Sequence, residues 1–146
     1  MTFYIILALS AFMISLLGTR LTILALRKRT HFLDIPNARS NHKIPTPKGG
    51  GIAVVFALII TLMMADISYG IVLALLMLAA VSLLDDLIDV PQIIRLIVQF
   101  LAVSIPLALL TVPVFGDLLP LWLDKVVTAV LWVWFINLFN FMDGID

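Results

Sequence analysis

Residues 67–91 read ISYGIVLALLMLAAVSLLDDLIDVP. The stretch from Ile67 to Leu84 carries no charged side chain, and three aspartates then follow at Asp85, Asp86 and Asp89. A bilayer core of about 30 Å is crossed by roughly 17–25 apolar residues in a helix. The stretch therefore reads as a membrane span that ends in acid at one surface. The rest of the chain agrees: of 146 residues, 63% are hydrophobic and 12% charged, with a mean hydropathy of +1.20. Soluble domains sit near 45–50% apolar and about 25% charged, so a soluble globular fold is excluded. Disorder is excluded as well, because it needs low hydrophobicity and high charge. The absence of cysteine removes disulfides, thiolate chemistry and cysteine metal sites.

Working outward, the pattern predicts an all-α polytopic membrane helix bundle with about five spans, at 3–26, 50–65, 67–84, 93–112 and 126–141. Six of the nine basic residues (Arg27, Lys28, Arg29, Arg39, Lys43 and Lys48) fall in the loop after the first span, and Lys/Arg excess marks cytoplasmic loops. That puts the N-terminus outside and residues 27–49, 85–92 and 143–146 on the cytoplasmic side. All three polar clusters of the chain reach that face. Arg20, near the end of the first span, can snorkel to the interface. No basic n-region precedes the first span and no A-x-A site follows it, so it is not read as a cleavable signal peptide.

The first cytoplasmic loop reads HFLDIPNARSNHKIPTPKGGG from His31 to Gly51. Its prolines forbid a regular helix, and its three glycines let a ligand approach the backbone. A helix N-terminus follows, which favours anions, with Arg39, His42, Lys43 and Lys48 adding positive charge beside it. The loop is thus a candidate seat for a phosphate or diphosphate. The same residues also read as positive-inside charges between turn residues.

In the acidic cluster, Asp85 and Asp89 lie about 40° apart on a helical wheel, with Asp86 adjacent. The negative end of the helix dipole points at them, which is unfavourable. Arg95, one turn beyond, is the nearest basic residue in sequence. Mg²⁺ would relieve such carboxylates, since it prefers oxygen ligands and is commonly shared between one or two carboxylates and substrate phosphates. A polar loop where a helix meets the cytoplasm is the other reading. In the last span, Asn137 and Asn140 share one side of a helix, and Asp143 and Asp146 follow. Polar residues at a membrane edge are functional candidates, although intramembrane Asn also bonds neighbouring helices.

Taken together these residues resemble the polyprenyl-phosphate N-acetylhexosamine-1-phosphate transferases of glycosyltransferase family 4. The resemblance rests on D-x-P-N-x-R-x-x-H-x-x-P-T-P-x-G-G-G at Asp34–Gly51, D-D-x-x-D at Asp85–Asp89, R-x-x-x-Q at Arg95–Gln99, and N-x-x-N-F-M-D-G-I-D at Asn137–Asp146. Asp89, at a position where the peptidoglycan translocase usually has Lys, resembles the amino-sugar branch. The resemblance implies a reaction in which polyprenyl phosphate (undecaprenyl phosphate in bacteria) attacks a UDP-N-acetylhexosamine and UMP leaves. The polyprenyl-diphospho-sugar that remains starts a cell-envelope polysaccharide.

It further implies Mg²⁺ as cofactor, with Mn²⁺ as an alternative. The implied metal ligands are Asp85, Asp86, Asp89, Asn140 and Asp143, and Asp85 or Asp86 is the implied base. That last role is light, because a phosphate monoester with second pKa about 6 is mostly ionised at pH 7. Arg39, His42, Lys43, Thr46, Asn137, Asn140, Asp143 and Asp146 are the implied substrate contacts. The implied setting is the bacterial inner membrane with a cytoplasmic active site, a homodimer as one assembly, and no nucleic-acid partner.

The chain departs from the family in one respect. It stops at Asp146, inside a motif that continues in the family, whose later loops supply another metal-binding Asp and a basic, histidine-containing segment. The chain is therefore expected to be an N-terminal fragment of a single membrane-embedded domain, inactive alone. Two other readings compete. An intramembrane prenyltransferase would explain Asp85–Asp89 but leaves the first and last motifs unexplained. A non-catalytic membrane subunit would treat the polar clusters as helix glue and topology signals.

Overall fold

The structure is a computed structural model that describes residues 2–26, 33–34, 46–47 and 51–143. Five helices follow one another: α1 (Thr2–Leu26), α2 (Gly51–Met64), α3 (Tyr69–Ile88), α4 (Gln92–Leu109) and α5 (Leu121–Asp143). A 3-10 turn at Gly116–Leu118 precedes α5. Between α1 and α2, two-residue strands β1 (Leu33–Asp34) and β2 (Thr46–Pro47) pair antiparallel, Asp34 opposite Thr46 and Leu33 opposite Pro47. The chain is thus an all-α bundle of apolar helices, with one small backbone pairing in its basic loop.

Four helices (α1, α3, α4 and residues Leu121–Met142 of α5) are long and apolar enough to cross a membrane. Helix α2 has 14 residues, and at about 1.5 Å per residue it is shorter than a bilayer core of about 30 Å. Its end is set by a Schellman turn. Asp66 sits in the left-handed region with φ 54°. Its N–H donates to the Met63 carbonyl at 3.2 Å, and the Ile67 N–H donates to the Leu62 carbonyl at 3.1 Å. Asp tolerates this conformation better than most side chains.

The other boundaries differ from the hydropathy pattern for similar local reasons. Helix α3 continues through Ile88, so Asp85 and Asp86 are helical and not part of an 85–92 loop. Helix α4 stops at Leu109, three residues before the apolar run does, and contains Pro106. Helix α5 begins at Leu121, five residues before the uncharged run. The Pro120 carbonyl accepts from the Leu123 and Asp124 N–H groups, both at 2.9 Å, and proline is well suited to opening a helix.

Neighbours in sequence are neighbours in space: α1 packs on α2, α2 on α3, α3 on α4 and α4 on α5. Small residues make the close approaches, as expected where lipid is as apolar as the side chains it replaces. A Cβ on Gly18 would lie 2.9 Å from the Ala53 Cβ of α2, and one on Gly70 would lie 2.7 Å from Leu109 Cδ1 of α4. The α4–α5 seam is closed by Val103, Leu107 and Val133, with Leu110, Ala129 and Ile136 packed against them. Most other large apolar side chains face outward, Phe3, Tyr69, Trp122 and Phe141 among them. Such a surface suits lipid.

The antiparallel path fixes two ends. Gly70 against Leu109 marks one end of the α3–α4 pair. The α3–α4 junction marks the other, and the C-terminal half of α5 returns to it.

Candidate functional site

The end of α3 is built by its own aspartates. Asp89 adopts φ 49° and ψ 73°, and its N–H donates to the Asp85 carbonyl at 3.2 Å, closing the helix. Pro91 follows and disfavours helix at Val90. The wheel that placed Asp85 and Asp89 on one helical face is therefore corrected: Asp89 has left the helix, and its exposed side chain projects from a turn.

Asp85 is committed twice. Its Oδ1 accepts from the Val90 N–H at 3.0 Å, and its Oδ2 pairs with Arg95 Nη1 of α4. The two side chains are 29% and 28% exposed. Arg95 supplies the charge that the C-terminal dipole of α3 cannot. Asp86, beside it on α3, is exposed.

One turn along α4 from Arg95, Gln99 is buried, and its Oε1 accepts from Asn137 Nδ2 of α5 at 2.6 Å. The same amide donates to the Val133 carbonyl at 2.8 Å. Asn137 is half-buried and Asn140, one turn later, is exposed. The structure thus brings Asp85, Asp86, Asp89 and Asn137 to one end of the α3–α4–α5 array, through Arg95 and Gln99. Thr46 is described only by its backbone pairing with Asp34, and Asp143 only as the last residue of α5. Arg39, His42, Lys43 and Asp146 lie outside the described residues.

Among the described residues no three His, Cys, Asp or Glu side chains come close enough to enclose a metal ion. The oxygen donors present still suit Mg²⁺ in its usual mode, in which one or two carboxylates share the ion with substrate phosphates and water. Farther from this end, an apolar groove of about 380 Å³ runs between α3, α4 and α5, lined by Leu75, Leu78, Val103, Pro106, Trp132 and Phe135 among others.

Two residues that the sequence reading left aside matter here. Gln99 stood only as part of a motif, although Arg95 and Gln99 at i and i+4 form a polar stripe on an apolar helix. Asp124 falls between the spans expected at 93–112 and 126–141. It is fully buried in the first turn of α5, where its Oδ1 accepts from the Val114 N–H at 2.9 Å and its Oδ2 from the Phe115 N–H at 2.8 Å. Its place at a helix N-terminus, with Pro just before the helix, was the available signal.

Comparison with protein families gives a match over residues 68–146, just over half of the chain, to the family described as glycosyl transferase family 4. The matched region contains α3, α4 and α5 and every polar contact just described at their shared end. Comparison with curated proteins and with solved structures gives no match.

Proposed function

Because the chain belongs to glycosyl transferase family 4, we propose that it transfers an N-acetylhexosamine-1-phosphate from a UDP-sugar to a polyprenyl phosphate at the cytoplasmic face of the bacterial inner membrane. A phosphate oxygen of the lipid bonds to the sugar-linked phosphorus, the bond from that phosphorus to the UMP oxygen breaks, and UMP leaves. The product is a membrane-held polyprenyl-diphospho-sugar. The observation that carries this reading is the gathering of Asp85, Asp86, Asp89 and Asn137 at one end of the family-matched helices.

Phosphoryl transfer asks for positioning and charge neutralisation more than covalent help. In this reading the carboxylates of Asp85, Asp86 and Asp89, with Asn140 and Asp143 of α5, supply the oxygens that hold Mg²⁺. The bound ion would offset charge on the diphosphate. Asn137, Asn140, Asp143 and Asp146 take the nucleotide side, and Arg39, His42, Lys43 and Thr46 add contacts from the basic loop. Asp85 or Asp86 acts as base to the extent that the lipid phosphate still carries a proton. The groove between α3, α4 and α5 has the apolar lining that an isoprenoid chain requires.

The test is UMP release by the protein as its gene encodes it, in membranes supplied with a UDP-N-acetylhexosamine and undecaprenyl phosphate. Release that needs both substrates, with sugar and phosphate recovered on the lipid, is expected. UMP release indifferent to the lipid, or transfer of the prenyl chain to an aromatic acceptor, would break the reading.

A further inference from the structure

Gln99 of α4 has no part in the chemistry described above, yet it is one of three buried polar side chains among the described residues, only 3% exposed. Its Oε1 accepts from Asn137 Nδ2 of α5 at 2.6 Å, and the same Nδ2 donates to the Val133 carbonyl at 2.8 Å. A backbone carbonyl can only accept, so the Asn137 atom facing Val133 is the nitrogen. The Gln99 atom facing that nitrogen is then the oxygen, and chemistry alone fixes how both amides are turned. Asn137 has thus spent both of its N–H groups inside the bundle. What it keeps is Oδ1, an acceptor with two lone pairs, to which no group among the described residues donates.

We propose that Gln99 is a positioning residue: by taking the second N–H of Asn137 it turns that amide so that Oδ1 meets the UDP-sugar. The group met is then a hydroxyl or N–H of the nucleoside or the sugar, and not an oxygen of the diphosphate. The proposal deepens the transferase reading and rests on it, and Asp85, Asp86 and Asp89 keep the roles given above. An amide carries a donor edge and an acceptor edge, and phosphate oxygens attract the donor edge. Left free to turn, Asn137 would offer its N–H groups to the diphosphate. The Val133 carbonyl, four residues back on the same helix, holds one of those groups and leaves the other loose. Gln99 reaches across from α4 to hold the second. Turning the amide away would leave the buried Gln99 Oε1 without a partner, which is costly in so enclosed a setting. The apolar side chains of the same seam, Val103, Leu107 and Val133, bring the helices together without setting that direction.

The experiment uses the protein as its gene encodes it and compares Gln99→Met, Gln99→Glu and Leu107→Val with wild type. Gln99→Met keeps the length of the side chain and removes the acceptor, whereas Gln99→Glu keeps an oxygen for Asn137. Gln99→Met should raise KM for the UDP-sugar about tenfold, with kcat and the KM for polyprenyl phosphate within about threefold of wild type. Gln99→Glu should hold the UDP-sugar KM within about threefold of wild type. Leu107→Val, about two turns farther along α4 in the same seam, should lower the unfolding temperature and leave both KM values unchanged, which separates loosened packing from lost orientation. Equilibrium binding of UDP-sugar, UMP and inorganic diphosphate completes the test. In Gln99→Met the UDP-sugar should bind about tenfold more weakly and inorganic diphosphate as in wild type. An equal loss for UMP would place the donor group on the nucleoside, and unchanged UMP binding would place it on the sugar.

Unchanged UDP-sugar KM and binding in Gln99→Met would overturn the proposal. An equal loss of inorganic diphosphate binding would overturn it too, because Asn137 would then serve the phosphates. So would a Gln99→Glu protein with wild-type unfolding temperature that is as impaired as Gln99→Met. A wild type that transfers nothing would instead overturn the transferase reading, and the binding measurements would still decide the part played by Gln99.

Discussion

Two carboxylates at opposite ends of the α3–α4–α5 array make the useful comparison. Asp124 stands in the first turn of α5, fully buried, and both its oxygens accept from backbone N–H groups of the preceding loop. Asp85 stands in the last turn of α3, about 29% exposed, and splits its oxygens between one backbone N–H and the Arg95 side chain. The helix dipole favours the first position and opposes the second. Asp124 therefore needs no cation and locks a loop to a helix. Asp85 needs one, and its partner ties it to a neighbouring helix beside two further acids. One end of the array uses a carboxylate to fasten a loop to a helix, and the other uses one to join two helices.

The largest expected effect is at the acidic end. Asp86→Asn should lower sugar-phosphate transfer by about a hundredfold or more while the unfolding temperature stays within a few degrees of wild type. Parallel activity and thermal-melt measurements check it. A folded variant with normal turnover would remove the chemical half of the comparison.

At the other end the expected loss is one of stability. Asp124→Ala removes the buried carboxylate that accepts from the part-buried Val114 and Phe115 N–H groups and should cost about 1–3 kcal/mol, read as a lowered denaturation midpoint in detergent. Asp124→Asn, which keeps one acceptor oxygen, should cost less than Asp124→Ala. Equal losses would mean that charge, and not hydrogen-bond count, holds the loop.

A smaller effect is expected where α3 and α4 meet at that same end. Gly70→Val drives new atoms against Leu109 Cδ1, already 2.7 Å from an ideal Cβ, and Ile105 Cγ2 at 3.2 Å. Overpacking of this kind costs about 1–3 kcal/mol, and both contacts are flexible side chains, which places the change toward the lower figure. The smallest effect belongs to Thr128, one turn after Asp124. Among the described residues its buried hydroxyl has no hydrogen-bond partner. Thr128→Val should leave stability unchanged or raise it by about 1 kcal/mol. A clear loss would reveal a partner for the hydroxyl.

The sequence made the bundle legible, because five apolar runs correspond to five helices. It located their ends poorly. Hydropathy follows which residues meet lipid, whereas helix ends follow backbone hydrogen bonds and turns. The Schellman turn at Asp66, the left-handed Asp89 and the helical start ahead of Asp124 are all set by such bonds. Asp124 in particular looks like a loop residue until its two N–H donors, nine and ten residues upstream, are seen.

At the site, the link from Asp85 to Arg95 was within reach of a local reading, since they are ten residues apart across a Pro turn. The link from Gln99 to Asn137 spans 38 residues and depends on how α5 is rotated against α4. Nothing in the spacing of either helix specifies that rotation. The expectation that Asp85 and Asp89 share one helical face failed for a local reason: Asp89 caps the helix in the left-handed region, two residues before Pro91.

The most direct test of the account sets Asp86→Asn beside Asp124→Asn in the protein as its gene encodes it, each measured for transfer of sugar phosphate to polyprenyl phosphate and for unfolding temperature. Crossed results are expected: Asp86→Asn keeps its stability and loses transfer, while Asp124→Asn loses stability and, below its unfolding temperature, still turns over. An Asp86→Asn protein that transfers at the wild-type rate, or an Asp124→Asn protein that is fully stable yet inactive, would contradict it.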